Sequence, residues 1–128
     1  AHFVSTGSDL TIVTWGAVVQ KSIEAVKKTD ISADIIDIRT LNPLDMDSIL
    51  GSLKKTNRLI IVHEDNLTNG FGAEIAARIS EDGFEFLDAP VKRVASKDIP
   101  VAYSPILEKE ILVQTDWIID AINSTIEY

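Results

Sequence analysis

Apolar and polar positions along this chain switch repeatedly between a period of two and a helical period. Leu10 to Thr14 is a short, β-branched run ending at Trp15-Gly16 and reads as a strand. Val19, Ile23 and Val26 then recur at helical spacing, closed by Lys27 and Lys28, cations that suit a helix C-terminus. Ala33 to Ile38 reads as a second strand. Pro43 and Asp45 open a helix with Met46, Ile49, Leu50 and Leu53 inward and Lys54 and Lys55 at its end. Leu59 to Val62 is four apolar residues in a row, the mark of a strand covered on both faces, and is expected to be central. A helix after Gly70 and Gly72 turns Ile75, Ala76 and Ile79 inward and breaks at Asp82-Gly83. Val91 to Ala95 reads as a fourth strand. An irregular stretch with Pro100 and Pro105 leads to a last helix, capped by Thr115 and buried through Ile118, Ile119, Ile122 and Ile126. Alternating strands and helices predict an α/β fold, a three-layer α/β/α sandwich on a mostly parallel sheet. With no repeat or linker, residues 1–128 form a single domain.

Composition narrows the function classes. The net charge of -8 argues against nucleic acid and anionic membrane as partners and suits a basic protein partner. No apolar run approaches the roughly 18 residues that span a bilayer. The absence of cysteine removes disulfides, thiolate metal sites and cysteine nucleophiles, and fits a cytoplasmic location. The chain begins Ala1-His2-Phe3, without an initiator methionine, as expected of a piece of something longer.

Candidate chemistry is sparse. His63, Glu64 and Asp65 follow the Leu59–Val62 strand, where open α/β sheets gather ligands, and a histidine there could serve as a general base. No nucleophile is placed beside it, so a hydrogen-bonding role toward the loop or a neighbouring domain is the simpler reading. Gly70-Phe71-Gly72 before a helix invites phosphate, but Ile75 stands where the dinucleotide fingerprint needs its third glycine, and Glu74 would repel an anion. Close backbone packing at a domain contact accounts better for these glycines. Arg39, two residues after Asp37, reads as an intradomain bridge at the Leu41-Asn42-Pro43 turn, and Asp88 before Ala89-Pro90 as a turn residue.

Several segments in order carry a family resemblance. They are Asp9 to Gly16, Ile36 to Asp45, Val62-His63-Glu64, Gly70 to Ile75, Leu87 to Val94 and Pro100 to Glu108. Almost end to end, the chain resembles the C-terminal, transketolase-C-terminal-like domain of the E1 β subunit of thiamine-diphosphate-dependent 2-oxoacid dehydrogenases, of the pyruvate and branched-chain type. The resemblance implies a five-stranded mixed sheet with one antiparallel strand. It also implies a whole enzyme that decarboxylates a 2-oxoacid and acylates the lipoyl group of the E2 acyltransferase. This domain would be non-catalytic there and serve subunit assembly and E2 docking. Thiamine diphosphate and Mg²⁺ are expected in the full enzyme and not in this fragment, which lacks the family's Gly-Asp-Gly segment and paired asparagines. Expected partners are the E1 α subunit or domain, a second E1 β subunit and the basic subunit-binding domain of E2. The resemblance assigns docking to Asp88 and the carboxylate of Tyr128. His63, Glu64, Gly70, Phe71, Gly72 and Glu74 are the expected subunit-interface residues. A bacterial cytoplasm is the expected location, with the mitochondrial matrix as the alternative. The rival readings are the C-terminal domain of transketolase or deoxyxylulose-phosphate synthase, and a stand-alone α/β interaction domain.

Overall fold

A computed structural model describes residues 1–98 and 109–128. The expected late loop, Pro100 to Glu108, lies outside the described residues. Five strands form one mixed sheet: β1 His2–Ser5, β2 Leu10–Thr14, β3 Ala33–Asp37, β4 Leu59–Asn66 and β5 Lys92–Ser96. Their order is β1-β3-β2-β4-β5, parallel throughout except β1, which pairs antiparallel with β3 at the edge. Among the described residues the sheet is covered by α1 Val18–Lys27, α2 Met46–Thr56, α3 Phe71–Asp82 and α4 Thr115–Glu127.

Alternation along the interior strands splits the core into two layers. Leu10, Ile12, Ile60 and Val62 pack with Val18, Ala25, Ile118 and Ile122 of α1 and α4. Val13, Ile36, Leu59 and Ile61 pack with Ile49, Leu53, Ile75 and Ile79 of α2 and α3. Residues 59 to 62 have no exposed surface, as expected of a strand between two helical layers, and β2 rather than β4 occupies the middle of the sheet.

Several local expectations shift. α1 buries Val18, Ser22 and Ala25, while Val19, Ile23 and Val26 are half-buried flanks. The small side chains of Ser22 and Ala25 let this helix sit close to the sheet. Asp45 caps α2, its carboxylate accepting from Ser48 N–H at 3.1 Å, and Asn57 ends the helix in the left-handed conformation. Thr115 does not cap α4. The extended backbone that a cap requires falls on Gln114, whose amide donates back to the Leu112 carbonyl at 2.9 Å. Thr115 is the first helical residue instead. β4 also runs four residues beyond the apolar quartet, so His63, Glu64 and Asp65 are strand residues.

At the N-terminal ends of the strands lies a buried polar cluster. The fully buried Asp34 carboxylate accepts from Ser52 Oγ at 2.6 Å, Lys55 Nζ at 2.8 Å and Gly7 N–H at 2.9 Å. Thr11 Oγ1 extends the network to Ser52 and Thr56 at 2.6 and 2.7 Å. Burial opposes the charge on Asp34, but the bonds from Lys55, Ser52 and Gly7 prevail and lower its pKa. This cluster ties α2 to β2 and β3 and leaves the opposite, C-terminal edge of the sheet for function.

Candidate functional site

The C-terminal ends of β2 and β4 bring Trp15 and His63 together. His63 shares the parity of Leu59 and Ile61, so its ring points toward the α3 layer. Trp15, one residue past β2, stacks on it with centroids 5.1 Å apart and planes 9° from parallel. Phe71, the first residue of α3, meets Trp15 edge-on at 6.2 Å. The glycines of the expected turn explain how α3 comes so near. A Cβ at Gly72 would stand 2.2 Å from His63 Nε2, and one at Gly70 would stand 2.0 Å from the Asn66 carbonyl oxygen. The close packing expected of Gly70 and Gly72 is therefore made within the domain, against β4.

His63 is fully buried, and neither ring nitrogen has a hydrogen-bond partner among the described residues. Burial pushes its pKa below the ordinary histidine value, and the Arg93 guanidinium adds to this, whereas Asp65 acts in the opposite direction. The ring cannot itself meet a partner subunit or act as an exposed base in this conformation. Of the expected interface residues, Gly70 and Gly72 are also buried, Phe71 is half-buried, and Glu64 and Glu74 are exposed. Glu74 pairs with Arg78 at 3.1 Å, one helical turn on.

An open concavity of about 540 Å³ lies over the start of α3, lined by Asp65, Asn69, Gly70, Phe71, Ala73, Glu74 and Ala77. Gly70 leaves the helix N-terminus without a side-chain cap, but the bordering carboxylates of Asp65 and Glu74 oppose a diphosphate. No group of three or more histidine, aspartate or glutamate residues able to hold a metal occurs among the described residues. These residues do not fit thiamine diphosphate with Mg²⁺.

A second region joins residues far apart in sequence. Asp88 and Tyr128 line one groove of about 320 Å³, together with Phe84, Leu87, Ala89 and Pro90. Phe84 and Tyr128 are 71% and 78% exposed, far above the other large apolar side chains of the described surface. The Asp88 backbone N–H donates to the Asn57 carbonyl at 2.8 Å, but its carboxylate makes no hydrogen bond or ion pair among the described residues. The turn is held by the main chain, which leaves this carboxylate available. Sequence reasoning missed Phe84. The available signal was an aromatic residue directly after the Asp82-Gly83 break, with Phe86 two residues on turned inward under Lys54.

Arg39 behaves as the simpler reading expected, its N–H donating to Asp37 at 3.1 Å and its Nε 3.8 Å from the same carboxylate. No helix among the described residues is long and apolar enough to cross a membrane.

The family model for the transketolase C-terminal domain matches residues 1–118. The mitochondrial pyruvate dehydrogenase E1 component subunit beta of Dictyostelium discoideum is 42% identical over 118 residues, 90% of this chain and 33% of that protein. Its counterpart in Rickettsia felis is 38% identical over 131 residues, 100% of this chain and 40% of that protein. The beta subunit of acetoin:2,6-dichlorophenolindophenol oxidoreductase of Bacillus subtilis is 41% identical, covering 88% of this chain and 34% of that protein. A split-gene transketolase, an inactive beta4 tetramer, shares the fold with a TM-score of 0.85 at 23% identity, over 98% of this chain and 42% of that one. The chain thus spans about a third to two-fifths of the length of its curated relatives. It belongs to the transketolase C-terminal domain family, and the curated proteins it resembles include beta subunits of the pyruvate dehydrogenase E1 component.

Proposed function

We propose that this chain is the C-terminal domain of a 2-oxoacid dehydrogenase E1 β subunit, serving subunit assembly and docking of the E2 acyltransferase rather than cofactor chemistry. The observation that carries this reading is the groove shared by Asp88 and Tyr128. It combines an uncompensated carboxylate with two exposed aromatic rings, the mixture of anchor and charge that a basic partner surface requires. The net charge of -8 adds long-range attraction for the same partner. In the intact E1, the half-buried faces of Trp15 and Phe71 and the exposed Glu64 and Glu74 would meet the α subunit or a second β subunit. Thiamine diphosphate and Mg²⁺ belong to the remainder of that enzyme, because the residues bordering the α3 N-terminus oppose a diphosphate.

The test is surface binding of the E2 subunit-binding domain to intact E1 carrying Asp88→Ala or Tyr128→Ala. Weaker binding by both variants is the expected result, and binding equal to wild type by both would reject the docking role. The similarity to the acetoin oxidoreductase beta subunit supports a second assignment of the whole enzyme. Turnover of pyruvate, branched-chain 2-oxoacids or acetoin by the intact protein separates these substrates.

A further inference from the structure

The cluster formed by Trp15, His63 and Phe71 contains a contradiction that static packing does not resolve. A neutral imidazole carries one donor and one acceptor, and both are buried here without a partner among the described residues. Protonation would make matters worse by burying a cation with two unmet donors. Among the described residues four elements pack near the ring, and Asp65 alone favours the cation, an effect that burial outweighs. On its own strand Glu64 is exposed, and the exposed Asp65 two residues on attracts a proton to the ring through its charge and its backbone without overcoming burial. From β5, Arg93 brings a like charge, with one guanidinium nitrogen already donating to the Leu67 carbonyl at 2.6 Å. From α3, Glu74 is exposed and paired to Arg78, and the residues touching the ring are Gly70 and Gly72. From the end of β2, Trp15 offers only its π face.

We infer that the Trp15–His63–Phe71 cluster is a proton-sensitive joint: neutral His63 seats the Trp15 ring and the first turn of α3, and protonation unseats both. Among the described residues, Trp15 covers one face of the ring and α3 its edge, so water reaches an imidazolium when either lifts away. Gly16, with φ +71, follows Trp15 immediately and gives that side chain a permissive hinge. The sign is fixed by linkage. Burial lowers the His63 pKa in the folded state, so the folded chain binds fewer protons than the unfolded chain below an unfolded value of about 6.5. Cluster stability is complete above that value and falls as pH drops toward the depressed folded pKa. This inference stands without the docking reading, since it concerns the isolated chain.

The chain has only two histidines, which makes the test direct. Imidazole NMR signals of wild type would be followed through an acid titration together with amide exchange at Gly70 to Gly72. His63 is expected to titrate below the ordinary histidine value of about 6.5, with loss of amide protection at 70–72 and a change of Trp15 emission in the same step. Trp117 packs under Lys97 rather than against a histidine, so its signal should stay unchanged. His63→Leu, if folded, should abolish the Trp15 change. Titration of His63 at or above the ordinary histidine value, titration without movement of Trp15, or a single global unfolding step would each overturn the joint.

Discussion

A Cβ atom on Gly72 would come within 2.2 Å of Nε2 of His63, so each of these residues limits the size of the other. The contact is between the first turn of α3 and the fifth residue of β4, and it sets how closely the helix approaches the sheet. Gly72→Ala should destabilise the chain by about 1–3 kcal/mol, the usual cost of overpacking. Gly51, exposed in α2, has nothing within 4 Å of its added Cβ. Gly51→Ala should therefore stabilise by about 0.5–1 kcal/mol through helix propensity. Urea denaturation of the two variants should give shifts of opposite sign. Equal shifts would remove the packing explanation for Gly72.

Asp34 predicts an acid limb separate from any histidine effect. Its folded pKa lies below the ordinary 3.8, so its contribution is present above that value and lost as pH falls through the lower folded one. Asp34→Asn should flatten stability against pH in that acid range. Asp34→Ala should cost about 1–3 kcal/mol at neutral pH, because Ser52 and the Gly7 amide lose their acceptor. Unchanged acid sensitivity in the asparagine variant would show that another carboxylate controls this limb.

Ile61 lies fully buried in β4 between β2 and β5, facing α2 and α3. Ile61→Ala should cost about 2–5 kcal/mol by chemical denaturation, as for other large-to-small core changes. A loss below 1 kcal/mol would contradict an interior position for this strand.

Periodicity revealed the interior of this domain better than its edges. The runs at Leu10–Thr14 and Leu59–Val62 announce buried strands because both faces are apolar, and the stripes through Ile49 and Leu53 or Ile118 and Ile122 are set by the helical repeat. β1 carries no such signal, since His2 and Phe3 are exposed at a sheet edge, and only the family resemblance implied an antiparallel strand. The site was legible in part. Gly70 and Gly72 mark a close approach in the sequence, but the partner of that approach, His63, depends on strand pairing that no local pattern encodes. The stack of Trp15 on His63 and the meeting of Asp88 with Tyr128 join residues 48 and 40 positions apart. Local spacing says nothing about such contacts, although the resemblance had paired the latter two.

Calorimetry with thiamine diphosphate and Mg²⁺ addresses the division of labour within the whole enzyme. The isolated chain should give no saturable heat, because Asp65 and Glu74 border the single helix N-terminus at the site. Micromolar binding would reject the assignment of cofactor chemistry to the remainder of the protein.

A double-mutant cycle reads the proposed contact between Asp88 and a basic residue of the partner. Intact E1 with and without Asp88→Ala would be measured against the E2 subunit-binding domain with each arginine or lysine replaced in turn. One basic residue should couple to Asp88 by about 1.5 kcal/mol or more, as close charge pairs at interfaces do. Additivity within about 0.5 kcal/mol for every pair would mean that Asp88 meets no partner cation and that docking lies elsewhere.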